Sequence, residues 1–204
     1  MKATRRIWLV RHGETEGQSS IRYHGQNDVP LSDLGRQQIR ALIPLLSGLS
    51  PSKVVHSPLS RASESARILQ QAHGWDESLL QSDARLREIS FGACEGMTAQ
   101  EIAASHQEFW ARHQRGEADA FPGGESRVAF AARVHLAICE HARPDAHGDL
   151  VVVAHRGTVR QALRSLLMLP KAAEPAHKFS VRLGSMSVLL GDPNWRLELF
   201  DFVP

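Results

Sequence analysis

Short runs of strand formers alternate with amphipathic stretches along most of this chain. Ile7, Trp8, Leu9 and Val10 form one such run. It stops at the polar, glycine-containing stretch 11–17 and reads as a buried strand ending in a functional loop. From Ser32, the positions Leu34, Ile39, Leu42, Ile43 and Leu46 recur at helical spacing and predict a helix ending near Gly48. Residues 53–56 predict a second short strand, and 60–72 a helix opened by Ser60 with Glu64 closing a capping box. A second box, Thr98 with Glu101, opens a helix carrying Ile102, His106, Phe109 and Trp110. After the loop Pro122-Gly123-Gly124, the positions Val128, Ala132, Val134 and Ile138 predict a helix that stops before Pro144. Residues 150–154 form the most strongly apolar strand; His155-Arg156-Gly157 ends it, and a helix over 158–169 follows. The tail reads as two strands, 185–190 and 195–202, joined by the turn Gly191-Asp192-Pro193-Asn194.

This order predicts an α/β three-layer sandwich: a mostly parallel central sheet flanked by helices, with an antiparallel edge. A length of 204 residues suits one domain over 1–204. Residues 90–124 show no clear strand and are expected to form an inserted lid segment. A hydrophobic fraction of 42% with 23% charged residues excludes a disordered or collagen-like chain. The formal charge of +2 carries no electrostatic footprint of a nucleic-acid binder. Cys94 and Cys139, with no CxxC, encode neither a disulfide framework nor a structural zinc site. No apolar run approaches the about 18 residues that would suggest a membrane span. The expected setting is the cytoplasm, with neither nucleic acid nor membrane as partner.

Eleven histidines are many for this length, and several fall where chemistry is expected. Three segments share one format, a strand followed by histidine or arginine at its carboxyl end and then a helix: 10–13, 56–61 and 154–157. Open α/β sheets bind ligands in the crevice beyond those strand ends, so Arg11, His12, Arg61 and His155 are expected to converge there. Such a group of cationic side chains repels itself unless an anion lies between them. A phosphoryl group fits, because its oxygens take bidentate arginine bonds and helix amino-termini favour its charge. Glu88, in the stretch Arg85-Leu86-Arg87-Glu88-Ile89, supplies a carboxylic acid for the same crevice. The set describes metal-free phosphoryl transfer. His12 attacks phosphorus, Arg11, Arg61 and His155 stabilise the oxygens, and Glu88 protonates the leaving group.

RHGET at 11–15 resembles the signature of the histidine phosphatase superfamily, the phosphoglycerate-mutase-like family. Gly25-Gln26, Pro30-Leu31-Ser32 and Leu34-Gly35-Arg36 look like that family's next segment. HSPLSRASESA at 56–66, LREISFGACEGMT at 86–98, PGGES at 122–126 and AHRG at 154–157 continue its order. The resemblance implies a phosphatase with His12 as phosphorylated nucleophile, Glu88 as proton donor, a phosphate pocket of Arg11, Arg61 and His155, and no cofactor or metal. It also implies a small phosphorylated metabolite as partner, of α-ribazole phosphate, sugar phosphate or glucosyl-3-phosphoglycerate type, and a homodimer through a sheet edge. GGESRV at 123–128 resembles the glucosyl-3-phosphoglycerate phosphatase branch. The chain departs from the family pattern at Gly17-Gln18, His24, Cys94 and Arg156. Gln18, His24, Gly25 and Arg156 become candidate substrate contacts, and Arg22, His24 and Arg156 are expected to make the mouth basic.

Other polar residues have plainer expectations. His106, His113, His135 and His141 fit solvated helix faces, residues 141–147 an exposed connection, and Cys94 a structural thiol. Phe109, Trp110 and Trp195 are expected to pack, and Asp28 and Asp33 to serve a turn and a helix start. Two functions compete with hydrolysis: a phosphoglycerate mutase, and a non-catalytic phospho-ligand-binding protein. The compact segment after Glu88 and the presence of both nucleophile and acid favour hydrolysis.

Overall fold

The computed structural model describes residues 5–143, 148–169, 180–191 and 194–204. Its main sheet is built from β1 (Arg6–Arg11), β3 (Pro51–His56), β4 (Leu80–Ser82), β6 (Asp149–Ala154), β7 (Met186–Leu190) and β8 (Arg196–Phe202); β2 (Arg22–Tyr23) and β5 (Met97–Thr98) form a separate antiparallel pair. The strand order β4-β3-β6-β1-β7-β8 is parallel from β4 to β1 and antiparallel at β7 and β8, the expected mixed α/β sandwich.

Strands β1 and β6 are buried on both faces, which explains why they read as continuous apolar runs. Ile7, Leu9, Leu150, Val152 and Ala154 face one layer, where α5 (Arg127–His141) contributes Phe130, Val134 and Ile138 and α6 (Arg156–Leu166) contributes Val159, Ala162 and Leu163. Val10, Val151 and Val153 face the other, against Ile39 of α1 (Asp33–Ala41) and Ala66 and Leu69 of α2 (Ser60–His73).

Helix boundaries depart from the sequence expectation where a local feature competes. The helix opened by Ser32 ends at Ala41, and the chain tightens into a 3-10 turn at Ile43–Leu46 because Pro44 cannot continue an α-helical ladder. Leu34, expected on its buried side, is 56% exposed. Ser60 is the first residue of α2 rather than its cap. Its N–H bonds the distant Asp28 carboxylate at 2.7 Å, its hydroxyl is buried without a partner, and Glu64 pairs with Arg36 at 2.6 Å. The Thr98–Glu101 box forms as expected, but the helix it opens breaks at His106 into α3 (Ala99–Ser105) and α4 (Gln107–Gln114). Val128 and Ala132 are exposed on α5, and α6 starts at Arg156 rather than Thr158.

Residues 90–124 hold a small core of their own: Cys94, Ile102 and Phe121, packed with Tyr23, Phe91, Phe109 and Trp110. Two of the expected solvated histidines belong to packed networks instead. His113 stacks on Trp110 with centroids 5.2 Å apart and meets Arg127 at 3.1 Å; His141 is buried and bonds Asp83 at 2.9 Å. Burial raises the Cys94 pKa, as suits a structural thiol. Residues 144–147 of the expected connection and 192–193 of the expected tail turn lie outside the described residues. Among the described residues no helix is long and apolar enough to cross a membrane.

Candidate active site

The site forms where β1, β6 and β3, neighbours in the sheet, all end. Arg11 pairs with Ala154 and His56 with Val153, so the three strands stop at nearly the same level. Each ladder then continues one residue further, with His12 N–H bonding Ala154 O at 3.0 Å and Ser57 N–H bonding Val153 O at 3.1 Å. His12, Ser57 and His155 thus emerge side by side. The first loop can run this close to α1 only because Gly13 and Gly35 lack side chains. A Cβ on Gly13 would strike the Gly35 carbonyl, and one on Gly35 would strike the carbonyl of Glu14.

The His12 and His155 rings meet edge to face with centroids 5.1 Å apart. His12 Nδ1 lies 2.7 Å from the Gly13 carbonyl, which can only accept. The proton of the neutral ring therefore sits on Nδ1, and the lone pair on Nε2 is free to act as a nucleophile. His155 Nε2 is 2.8 Å from Ser57 Oγ, while its Nδ1 is buried without a partner. Ser57 Oγ also accepts from Leu59 N–H at 3.3 Å. A Ser57 hydroxyl donating to His155 Nε2 satisfies both groups and leaves Nδ1–H as a free donor.

Two guanidiniums flank the rings. Arg61, 2% exposed, donates to the carbonyls of Gly25 and Asn27, each at 2.7 Å. Arg11 donates from Nη1 to Val181 O at 2.6 Å, and its Nε is buried without a partner. Burial, helped by the nearby Arg156, pulls the Arg11 pKa down to about 10, and burial also lowers that of Arg61. Burial first, then Arg61, hold both His12 and His155 well below the ordinary imidazole value, with Arg11 adding to the effect on each. Both rings are neutral at neutral pH.

Glu88 completes the group. Its carboxylate accepts from Gly157 N–H at 2.8 Å, in the first turn of α6, and from Ile89 N–H at 3.0 Å. It acts electrostatically on both Arg11 and Arg61. A Cβ on Gly157 would collide with this carboxylate and push it from its place.

The structure thus brings Arg11, His12, Arg61, Glu88 and His155 together. The outer candidates divide. Arg156 is exposed at the start of α6 and acts on Arg11. His24 is buried, with Nε2 2.6 Å from Gly17 O, and burial lowers its pKa, so it adds no charge at neutral pH. Arg22 is paired with Glu101 at 3.0 Å. The basic mouth expected from these residues reduces to Arg156. Gly25 serves through its carbonyl, which holds Arg61. Gln18 is exposed on a left-handed turn with φ of 60°. Ser57 and Arg133 were not singled out from the sequence. Ser57 had the same strand-end placement as the histidines; nothing in the pattern marked Arg133. Among the described residues, no group of three or more His, Cys, Asp or Glu is placed to hold a metal ion.

The depressed histidine pKa values set a pH dependence of stability. The unfolded chain takes up these protons below about pH 6.5 and the folded chain does not, so stability is expected to fall as pH drops below that point. Each imidazole contributes at most about 1.4 kcal/mol per pH unit. His24, His56, His73 and His113 are shifted in the same direction. Urea melts between pH 7.5 and 5 measure the slope. Inorganic phosphate is expected to flatten it, because an anion favours the charged rings.

The family model described as "Histidine phosphatase superfamily (branch 1)" matches residues 7–200. This chain belongs to the histidine phosphatase superfamily, and its activity is that of a phosphatase. It is 33% identical to the glucosyl-3-phosphoglycerate phosphatase of Mycolicibacterium vanbaalenii, over 97% of this chain and 94% of that one. A mycobacterial glucosyl-3-phosphoglycerate phosphatase solved with inorganic phosphate superposes with a TM-score of 0.79, at 33% identity and 98% coverage of both chains. The α-ribazole phosphatase of Shigella flexneri gives a TM-score of 0.84 at 26% identity, covering 97% of this chain and 96% of that one.

Proposed function

We propose that this chain hydrolyses small phosphomonoesters in two steps through a phosphohistidine at His12. The observation that carries the reading is a buried, neutral imidazole, its Nε2 lone pair free, set between two buried guanidiniums. In the first step His12 Nε2 attacks phosphorus, the P–O bond to the alcohol breaks, and Glu88 delivers its proton to the leaving oxygen. In the second, water gives its proton to the Glu88 carboxylate and attacks phosphorus. The N–P bond breaks, releasing inorganic phosphate and restoring His12. Arg11, Arg61 and the Nδ1–H of His155 take the non-bridging oxygens, whose charge relieves the repulsion among the cations.

The segment 90–124 acts as a lid beside this mouth, tied down by Gly96 N–H to Tyr23 O and by Glu95 to Gln26 N–H. Arg156 receives a second negative group on the substrate, which favours an ester such as glucosyl-3-phosphoglycerate, the substrate named for two of the relatives above. A homodimer would pair through the exposed edge of β8, the longer of the two edge strands.

The test is a panel of glucosyl-3-phosphoglycerate, α-ribazole phosphate, sugar phosphates and 3-phosphoglycerate, scored for released phosphate and for 2-phosphoglycerate. Phosphate release that survives EDTA is expected; 2-phosphoglycerate as the main product would make the chain a mutase. For a substrate with a second anion, Arg156→Ala is expected to raise KM by about fivefold with kcat kept, the size of an exposed ion pair. An unchanged KM would remove Arg156 from the substrate site.

A further inference from the structure

The acid of the proposed mechanism stands on an irregular loop, so something must hold that loop still. We infer that Arg133, on α5, is a positioning residue for Glu88, fixing through the loop backbone where the acid stands. The inference rests on the reading of Glu88 as proton donor. Each guanidinium nitrogen of Arg133 is engaged. Nε and Nη2 fork onto the Glu125 carboxylate at 2.7 Å each, Nη1 donates to Arg85 O at 2.6 Å and Arg87 O at 2.8 Å, and Nη2 donates to Glu88 O at 3.0 Å. Glu125 N–H in turn bonds Ser90 O at 3.0 Å, so the residues on both sides of Glu88 are tied to one cation.

The surrounding loop is packed to match. A Cβ on Gly124 would strike Ser90 O, and one on Gly92 would strike Pro122 O, so the 88–92 and 122–125 segments press backbone to backbone. Thr158 Oγ1 lies 3.2 Å from Leu86 O, and Gln26 Nε2 lies 3.2 Å from Glu88 O. With the backbone held, the Glu88 side chain reaches Gly157 N–H at the mouth of α6. Arg133 touches none of the proposed reacting atoms. Its planar fork is what a lysine cannot reproduce, since one ammonium cannot span a carboxylate and several carbonyls at once.

A positioning role has a signature that a merely structural one lacks. Protonation of the leaving oxygen matters for an alkyl phosphate and hardly at all for p-nitrophenyl phosphate, whose leaving group departs as a stable anion. Arg133→Lys is expected to lower kcat/KM, which reports only the phosphorylation half-reaction, by about 10- to 100-fold on a simple alkyl phosphate and by less than about threefold on p-nitrophenyl phosphate. Glu88→Gln is expected to show the same pattern more strongly, and the double variant to be no worse than Glu88→Gln alone. Glu125→Gln weakens the fork without removing the arginine. It should give a smaller effect of the same kind, and it serves should Arg133→Lys fail to fold. Equal losses on both substrates, or losses that multiply in the double variant, overturn the inference while leaving Glu88 in its role. A Glu88→Gln variant without leaving-group dependence overturns the assignment of Glu88 and this inference with it.

Discussion

His12→Ala is expected to lower hydrolysis of every phosphomonoester, p-nitrophenyl phosphate included, by more than about 10⁴-fold. In kcat/KM the uniform loss separates it from Glu88→Gln, because the N–P bond must form whatever the leaving group. The variant should still fold. His12 contributes one ring bond, to the carbonyl of the next residue, and burial already disfavours its charged form. Its melting temperature near pH 7 is therefore expected within a few degrees of wild type, about the effect of 1 kcal/mol in a domain this size. Acid quenching during turnover should trap an acid-labile phosphoprotein in the wild type and none in the variant. A His12→Ala protein that turns over p-nitrophenyl phosphate at the wild-type rate would end the phosphohistidine scheme.

The central strands and the histidines that end them were legible for one physical reason. Buried on both faces, the interiors of β1 and β6, 7–10 and 150–154, are wholly apolar, so His12 and His155 stand out near the point where the ladder stops. Arg61 and Glu88 were less legible, since an arginine in a first helical turn and a glutamate among arginines also suit a solvated surface; the strand-end format and the motifs around them carried the reading. Helix ends were less readable. Ser60 looked like a cap because nothing local shows that Asp28, far off in sequence, takes its N–H. His113 and His141 looked solvated because the groups that enclose them, Phe121 and Arg127 for the first and Asp83 for the second, come from other segments. Arg133 is the clearest case. Its partners include main-chain carbonyls more than forty residues away, and main-chain atoms leave no mark in a sequence pattern.

Arg61 carries the other large expected effect, and there catalysis and stability pull apart. Arg61→Met should lower kcat by about 10²–10³-fold, the usual loss when one fixed donor to the transition-state oxygens is removed. It should also abolish most of the thermal stabilisation that inorganic phosphate gives the wild type, because the anion loses a main partner. Without phosphate, two larger effects oppose each other. The carbonyls of Gly25 and Asn27 lose their donors, at about 1–3 kcal/mol each. Against this, the fold no longer desolvates a cation, a cost of several kcal/mol that Glu88, Asp28 and Glu95 only partly offset. The net change is expected to stay within about 2 kcal/mol. Arg61→Lys makes the ordering testable: it keeps the buried charge but cannot reach both carbonyls, so it should melt below Arg61→Met although it is the more conservative change. Such an ordering, read from thermal melts with and without phosphate, marks a residue held in place for the ligand rather than for the fold. Should Arg61→Met hydrolyse phosphate esters at the wild-type rate, the buried guanidinium would have no part in the chemistry.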